Sequence, residues 1–346
     1  MMRSVLSWCG LVLLLSTTGS QAQPVVPDED HADQLSQTFP ATLAERRLGA
    51  AEWKEAARPA RDQNRPKVVG GSAAFRGQFP WQVALILSSA PANDPFQGVF
   101  CGGTLIGVRW ILTAAHCTYK ADPANASSPP LEMGPGEIEV YADSINFSGG
   151  QRISVESIVR HAYNRKTRDN DIAVIQLSKA VTGVQPIGLL PTKGSNALVV
   201  GWGSTEQGVR PAASRESADS LRYADVQFKD KAVCNKFYLA EQRSRAAVSL
   251  KAQGLTDSQI REKLDAWYPP TITYVTGNMF CAGTDDGSRD ACFGDSGGPL
   301  IIRRSEGYAQ VGIVSWGPPQ GCGLVNSYGV YVDIAKYADW ISDRIK

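Results

Sequence analysis

Ser296 lies in the segment Gly294-Asp-Ser-Gly-Gly-Pro299, in which glycines flank a hydroxyl nucleophile. A serine on a glycine-rich turn can present its hydroxyl beside backbone N–H groups. Acyl transfer requires this arrangement, because those donors stabilise the tetrahedral oxyanion. All of these residue types also favour turns, so the segment taken alone is at least as typical of a plain turn. Other residues must decide between the two interpretations.

A serine nucleophile requires a general base, and His116 is the best placed of the three histidines. It follows an apolar run and precedes Cys117, whereas His161 has no comparable context. A disulfide from Cys117 to Cys101 would anchor the segment that carries the imidazole and contribute about 3 kcal/mol. A lone histidine is more often structural, so this assignment needs an acidic partner.

Asp171 is the candidate for that partner, because an acid must orient the base and stabilise its imidazolium form. It immediately precedes the apolar run at 172–177, from where its side chain can point into an interior cleft. Asp169 is assigned to a solvated loop or turn. Ser296, His116 and Asp171 together predict a catalytic triad.

The composition excludes several function classes. The chain has 346 residues, 43% of them hydrophobic, and its 35 basic and 34 acidic residues leave a formal net charge of +1. Such a balance does not favour a nucleic-acid or anionic-membrane partner, since both need a concentrated basic field. No run approaches the roughly 18 apolar residues of a membrane span, so we expect a soluble protein.

The N-terminus predicts export. Arg3 precedes an apolar run at 11–15, and small residues follow, as in a signal peptide covering residues 1–22. We therefore expect a secreted protein, extracellular or periplasmic. The cysteines beyond that segment are even in number, which predicts disulfides in an oxidising compartment but leaves their pairing open. A zinc site is disfavoured, because CxxC pairs and histidine partners for them are lacking.

Two regions follow the signal peptide. Residues 23–67 are charged and Ala-rich without strand alternation, and they predict a weakly structured propeptide. In residues 68–346, short apolar runs alternate with Gly, Pro, Asn and Asp, which is typical of all-β folds. We predict a C-terminal amphipathic helix and a helical insertion near 238–270, with helices at 241–253 and from 256 or 257 to 267. The predicted strands are 82–87, 103–112, 137–142, 171–177, 197–200, 224–228 and 310–315.

Several motifs now carry a resemblance to a known family. Residues 68–346 resemble the trypsin/chymotrypsin family of serine endopeptidases, with these motifs in the family's order: Val68-Val-Gly-Gly71, Thr113-Ala-Ala-His-Cys117, Asp171-Ile-Ala-Val174, Gly201-Trp-Gly203, Gly294-Asp-Ser-Gly-Gly-Pro299 and Val314-Ser-Trp-Gly317. The resemblance implies an all-β fold of two six-stranded antiparallel β-barrels with the active site between them. It also implies a secreted zymogen that hydrolyses peptide bonds through an acyl-enzyme, without a cofactor. The loop that binds calcium in some relatives is shortened here, at 143–150, so we expect no metal.

The resemblance also implies a role for each site residue. Ser296 attacks the scissile carbonyl, His116 shuttles the proton and Asp171 orients the imidazole. The backbone N–H groups of Gly294 and Ser296 form the oxyanion hole, and Ser315 donates a hydrogen bond to Asp171. The implied disulfides use every cysteine beyond the signal peptide: Cys101–Cys117, Cys234–Cys281 and Cys292–Cys322.

Substrate specificity is implied by the pocket residues. Asp290 matches the family aspartate at the base of the pocket, and Gly317 and Gly329 match glycines of its walls. A buried carboxylate there predicts cleavage after Arg or Lys. Ala291 stands where many relatives have serine, which predicts a preference for Arg, because a guanidinium still binds a carboxylate bidentately. Trp316 belongs to the edge against which the substrate backbone pairs.

Activation is implied to follow cleavage after Lys67 by a trypsin-like protease. Val68 then becomes the N-terminus, and its ammonium pairs with Asp295 and orders the neighbouring loop. The implied partners are proteins or peptides with Arg or Lys at the cleavage site, the activating protease, and protein inhibitors.

Some features depart from the digestive pattern. Phe293, the Pro318-Pro319 pair and the helical insertion are expected to border the cleft, which predicts a selective protease. The main alternative function is a non-catalytic binding protein on the same fold, since a fold does not determine function. An adhesion role for the insertion is a further alternative.

Overall fold

The structure is a computed structural model that describes residues 69–125, 128–190, 194–204, 220–305 and 307–346. The predicted signal peptide, the propeptide, Lys67 and Val68 lie outside these residues. The strands, in chain order, are β1 (Ser72–Ala73), β2 (Gln82–Leu87), β3 (Val99–Gly107), β4 (Trp110–Thr113), β5 (Tyr119–Lys120), β6 (Leu131–Glu132), β7 (Ile138–Ala142), β8 (Gln151–Arg160), β9 (Ala173–Leu177), β10 (Gly188–Leu189), β11 (Asn196–Gly201), β12 (Arg222–Lys229), β13 (Met279–Gly283), β14 (Pro299–Arg303), β15 (Tyr308–Trp316) and β16 (Gly329–Asp333).

Six strands close the first barrel in the order β2-β3-β4-β9-β8-β7, and every neighbouring pair is antiparallel. Their inward side chains fill its interior, with Leu85, Ile111 and Ile175 fully buried. The single strand predicted over 103–112 is wrong. A turn at 108–109 separates β3 from β4, and apolar residues continue through both strands because both line one core.

The second barrel closes in the order β12-β11-β14-β15-β16-β13, where β13 pairs again with β12. All of these pairs are antiparallel. Outside the ring, β1 pairs with β12 and β10 runs parallel to β15. The fold class of two six-stranded barrels is therefore confirmed.

Helices are few: α1 (Lys231–Ala252), α2 (Asp257–Trp267), α3 (Ala338–Arg344), and 3-10 helices at Pro95–Gly98, Ala115–Thr118, Pro135–Glu137 and Ile334–Tyr337. Helix α1 starts at Lys231, well before the predicted residue 241, because Asp230 caps it by accepting a hydrogen bond from the Ala232 N–H. Helix α2 starts with a capping box between Thr256 and Gln259, as predicted for one of its two candidate caps. None of the described helices is both long and apolar enough to cross a membrane.

Distinct cores hold these elements together. An aromatic and aliphatic cluster that includes Phe79, Trp202 and Ile301 joins the two barrels. Helix α3 packs on the first barrel through Ile341. The helical insertion has a small core of its own between α1 and α2, made of Ala246, Leu250, Ile260 and Leu264. The site described next lies where the two barrels meet.

Candidate active site

His116 lies just beyond the end of β4, in the 3-10 helix Ala115–Thr118. The disulfide between Cys101 and Cys117, with a Cα–Cα distance of 6.1 Å, ties this turn to β3. Within the turn, the Thr118 hydroxyl donates a hydrogen bond to the Ala115 carbonyl over 2.7 Å. The backbone that carries the imidazole is therefore held from both sides.

Asp171 is 1% exposed, and three donors converge on its carboxylate. The His116 backbone N–H donates to Oδ1 over 2.8 Å, and the ring Nδ1 lies 2.7 Å from Oδ2. The Ser315 hydroxyl of β15 donates to Oδ2 over 2.5 Å. The carboxylate thus links an imidazole of the first barrel to a strand of the second.

This arrangement sets the protonation chemistry of His116. Burial of the ring acts to lower its pKa, but the charge of Asp171 and the hydrogen bond to it outweigh burial, so the pKa is raised above its ordinary value. The charge of Arg168 acts in the opposite direction. With Nδ1 donating to Asp171, the lone pair of the neutral ring lies on Nε2, the atom that can accept a proton.

Asp169 and His161 make contacts different from those of Asp171 and His116. Asp169, which we expected to be solvated, is half-buried; its carboxylate accepts hydrogen bonds from the Thr276 hydroxyl and the Asn278 side-chain amide. This bond network ties the segment before Asp171 to the second barrel. The ring of His161 packs edge-on against two aromatic rings, those of Tyr337 and Trp340, which agrees with the structural role predicted for it.

Ser296 lies in the loop between β13 and β14. Its carbonyl accepts a hydrogen bond from the Gly102 N–H of β3 over 2.7 Å, so the nucleophile loop is bound to the opposite barrel. Gly297 has φ +78°, and a Cβ there would lie 2.3 Å from the Thr113 hydroxyl oxygen. A larger residue at 297 would separate the barrels. Ser296 and His116 line the same cavity, without a hydrogen bond between their side chains among the described contacts.

The backbone of this loop also explains how two N–H groups can serve an oxyanion. The N–H groups of Asp295, Gly297 and Gly298 are all consumed, by the carbonyls of Cys292, Val314 and Asp295. Within the described part of the chain, no hydrogen bond uses the N–H of Gly294 or Ser296. Gly294 adopts φ +101°, a conformation that favours glycine.

Asp295 is fully buried and is not among the residues that line the cavity. Its two carboxylate oxygens accept hydrogen bonds from the backbone N–H groups of Gly203 and Cys292, over 2.8 and 2.9 Å. A Cβ on Gly201 would lie 2.0 Å from Asp295 Oδ1, so the Gly201-Trp-Gly203 motif makes room for this carboxyl group. Burial raises the pKa of Asp295 to about 6, against the effect of the two N–H donors.

Asp290 lines a cavity of about 550 Å³ that His116 and Ser296 also line. It is 1% exposed, and its Oδ2 accepts the Gly323 N–H over 3.0 Å, whereas Oδ1 has no hydrogen-bond partner in the described residues. Burial raises the pKa of Asp290 to about 7, although the nearby backbone N–H groups of Gly323, Ala291 and Gly329 oppose that rise. Of these three groups, only that of Gly323 forms a hydrogen bond of normal geometry to Asp290. A buried carboxylate that lines a cavity and has one oxygen without a hydrogen bond is suited to receive a cation.

The walls of this cavity come from three segments. The disulfide between Cys292 and Cys322 joins two of them, with a Cα–Cα distance of 5.4 Å, and Ala291 is buried beside it. A Cβ on Gly329 would lie 3.2 Å from Asp290 Oδ1, whereas one on Gly317 would meet nothing within 4 Å, because the space beside it is open. The third disulfide, Cys234–Cys281, joins α1 to β13, so all three pairs are those that the family resemblance implies.

The cavity lining contains both residues that the sequence predicted and residues that it did not. Phe293, Pro318 and Pro319 line it, as expected for residues bordering the cleft. Tyr163 and Arg168 also line it, although neither belongs to a motif. They come from the loop before Asp171, and the only sequence signal for them is their proximity to that residue in the chain.

A metal can be excluded at one grouping near this site. Cys101, His116 and Cys117 bring their ligand atoms together, but the two sulfur atoms are bonded to each other. A disulfide offers no thiolate, which is the form of cysteine that binds metals. This grouping therefore reflects the disulfide beside the imidazole.

Comparisons with known proteins agree with this geometry. The family model described as Trypsin matches residues 68–341. Trypsin-1 of Astacus astacus is 30% identical over 79% of this chain and 98% of that protein, and Trypsin I-P1 of Gallus gallus is 34% identical over 82% and 91%. Coagulation factor XI of Bos taurus is 31% identical over 80% of this chain but only 38% of its own length. The chain is thus a serine endopeptidase that belongs to the trypsin/chymotrypsin family.

Proposed function

We propose that this protein hydrolyses peptide bonds after arginine, and less efficiently after lysine, through an acyl-enzyme on Ser296. The observation that carries the proposal is the unpaired Oδ1 of Asp290 in the cavity that His116 and Ser296 also line. A guanidinium is a planar donor that can satisfy a carboxylate bidentately. Bound there, the arginine would place its carbonyl near the Ser296 hydroxyl.

The chemical steps use the groups described above. Ser296 Oγ transfers its proton to His116 Nε2 as it attacks the carbonyl carbon, and Asp171 stabilises the imidazolium that forms. The N–H groups of Gly294 and Ser296 receive the oxyanion, and each such donor contributes about 10²–10³ in rate. The imidazolium then protonates the leaving amine as the peptide C–N bond breaks. Water repeats the sequence to hydrolyse the ester and regenerate Ser296.

The preference for arginine over lysine rests on Ala291. This residue is 8% exposed and has no hydroxyl to offer beside Asp290. A lysine ammonium is a compact, strongly hydrated charge and needs additional acceptors when it leaves water, whereas a guanidinium spans both oxygens of a carboxylate. Lysine substrates should therefore lose more of their hydration without compensation.

The protein is further proposed to be a secreted zymogen that is activated by cleavage after Lys67. Asp295 supports this, since its buried carboxylate is held only by N–H donors among the described residues and would gain from an ammonium partner. Val69 adds support, because it packs against the disulfide that closes the same loop, that between Cys292 and Cys322. Signal peptides and three disulfides suit an oxidising compartment.

The test uses the full chain beside its Ser296→Ala variant. Both are treated with immobilised trypsin, the new N-terminus at Val68 is checked by sequencing, and the trypsin is removed. Matched peptides with Arg, Lys, Leu or Glu at the cleaved position are then assayed. We expect turnover in the order Arg, Lys, then the others, and a loss of about 10⁶ in kcat for Ser296→Ala. Equal inertness of both proteins after verified cleavage would favour the non-catalytic binding alternative.

A further inference from the structure

Arg168 lines the active-site cavity although the proposed reaction gives it no role. It lies in the loop between β8 and β9, and its guanidinium stacks on the ring of Trp316 with the central carbon 4.8 Å from the centroid. Arg168 and Asn170 have φ values of +58° and +56°, so two of three consecutive residues adopt the left-handed backbone conformation. The Tyr337 hydroxyl donates to the Asn170 side-chain oxygen over 2.9 Å, which holds that turn in place.

The charge of Arg168 is uncompensated within the described ranges. No carboxylate there forms an ion pair with its guanidinium, and its two acidic neighbours in the chain are committed to other groups. Asp169 accepts hydrogen bonds from Thr276 and Asn278. Asp171 is buried and accepts from His116 and Ser315. A cation is thus presented to the cavity beside the general base.

The path of a substrate identifies the side chain that meets this cation. With the cleaved arginine in the pocket above Asp290, the preceding backbone runs along the edge of β15 at Trp316, as an added strand. Successive side chains of a strand point in opposite directions. The residue immediately before the arginine therefore points away from the pocket, into the part of the cavity lined by His116, Tyr163 and Arg168.

We infer that Arg168 is a specificity-determining residue that selects a glutamate or aspartate immediately before the cleaved residue. The inference rests on the proposed function, since it assumes a peptide bound at the Asp290 pocket. A guanidinium and a carboxylate form a charge-assisted hydrogen-bonded pair. Because Arg168 is exposed, water and salt weaken the pair, and we expect a preference of about three- to fivefold.

The test compares peptides that differ only in the residue before the arginine: Glu, Asp, Gln, Ala or Lys. For the activated wild-type protein, kcat/KM for the better acidic peptide should exceed that for the Gln peptide about three- to fivefold, with the Lys peptide lowest. The preference should shrink as NaCl is raised from about 0.05 to 0.5 M, because an exposed pair is screened. Arg168→Gln should bring the Glu and Gln peptides to equal rates, and Arg168→Lys should retain part of the preference.

Arg165→Gln is the matched control, because it removes the same charge from the same loop. The Arg165 guanidinium stacks on Tyr119 at 4.6 Å and donates to the Pro130 carbonyl, so it is engaged elsewhere. An unchanged preference in this variant supports a local contact at Arg168. An equal loss in both variants, or equal rates of the Glu and Gln peptides on the wild type, overturns the inference while leaving the proposed function intact. No cleavage of any arginine peptide overturns the proposed function and the inference with it.

Discussion

Asp171 and Asp290 line one cavity and are each 1% exposed, yet their surroundings differ. Asp171 accepts hydrogen bonds from three donors, two on His116 and one on Ser315. Asp290 leaves one oxygen unpaired, and burial raises its pKa to about 7. A buried carboxylate that has all its hydrogen bonds from the protein holds the donor groups in position. One whose bonds are incomplete costs stability until a ligand completes them.

The largest effect on activity is expected from a substitution of Asp171. Asp171→Asn should lower kcat on an arginine peptide by about 10⁴, the size known for this change in a related protease, because an amide stabilises the wrong tautomer of His116. KM should change little, since Asp290 is untouched. Steady-state kinetics of the activated variant measure both. A rise in KM with an unchanged kcat would show that Asp171 serves binding instead.

The converse change is Asp290→Asn, which should lower kcat/KM for arginine peptides by about 10³, because a desolvated charge pair is lost. The loss should be far smaller for a peptide with leucine at the cleaved position. An equal loss for both peptides would mean that the substitution distorts the loop as a whole. The His116 limb of the pH profile, measured on the leucine peptide, should stay in place.

The two carboxylates should also differ in how pH affects binding. Asp290 with a pKa of about 7 is neutral in the free protein at lower pH and cannot pair with a guanidinium. The inhibition constant of N-acetyl-arginine amide should therefore rise by about tenfold for each pH unit below 7. This dependence should persist in Asp171→Asn and disappear in Asp290→Asn. A flat profile for the wild type would place the ionisation of Asp290 well below 7.

The two carboxylates should finally differ in their effect on stability. The folded protein retains a proton on Asp290 that the unfolded chain releases, so the free energy of unfolding should fall as pH rises from about 4 to 7. In the uncleaved Ser296→Ala background, Asp290→Asn should be more stable than its parent at pH 8 by up to about 4 kcal/mol, and the gap should close near pH 4. Urea unfolding at both pH values tests this. Asp171→Asn should instead destabilise at pH 8, because its three donors lose their charged acceptor.

Parts of the fold and site could be predicted because their signal is local. Strand β2 has the predicted bounds, because turn residues precede and follow its apolar run. The start of α1 could not be predicted, because Cys234 and Tyr238 pack against the second barrel and blur the helical period. Motifs pointed to His116, Asp171 and Ser296, which line one cavity. Arg168 and Tyr163 belong to no motif and reach that cavity through the path of a loop. That path depends on contacts of Asp169 and Asn170 with residues distant in sequence.

The hydrogen bond from the Gly102 N–H to the Ser296 carbonyl has a consequence for synthesis of the protein. The first barrel carries His116 and Asp171, and the nucleophile belongs to a loop of the second barrel that must dock against Gly102. A chain emerging from the ribosome is therefore inert until both barrels exist and have met. Under the proposed mechanism, a fragment that ends before residue 296 lacks the nucleophile and cannot cleave its neighbours.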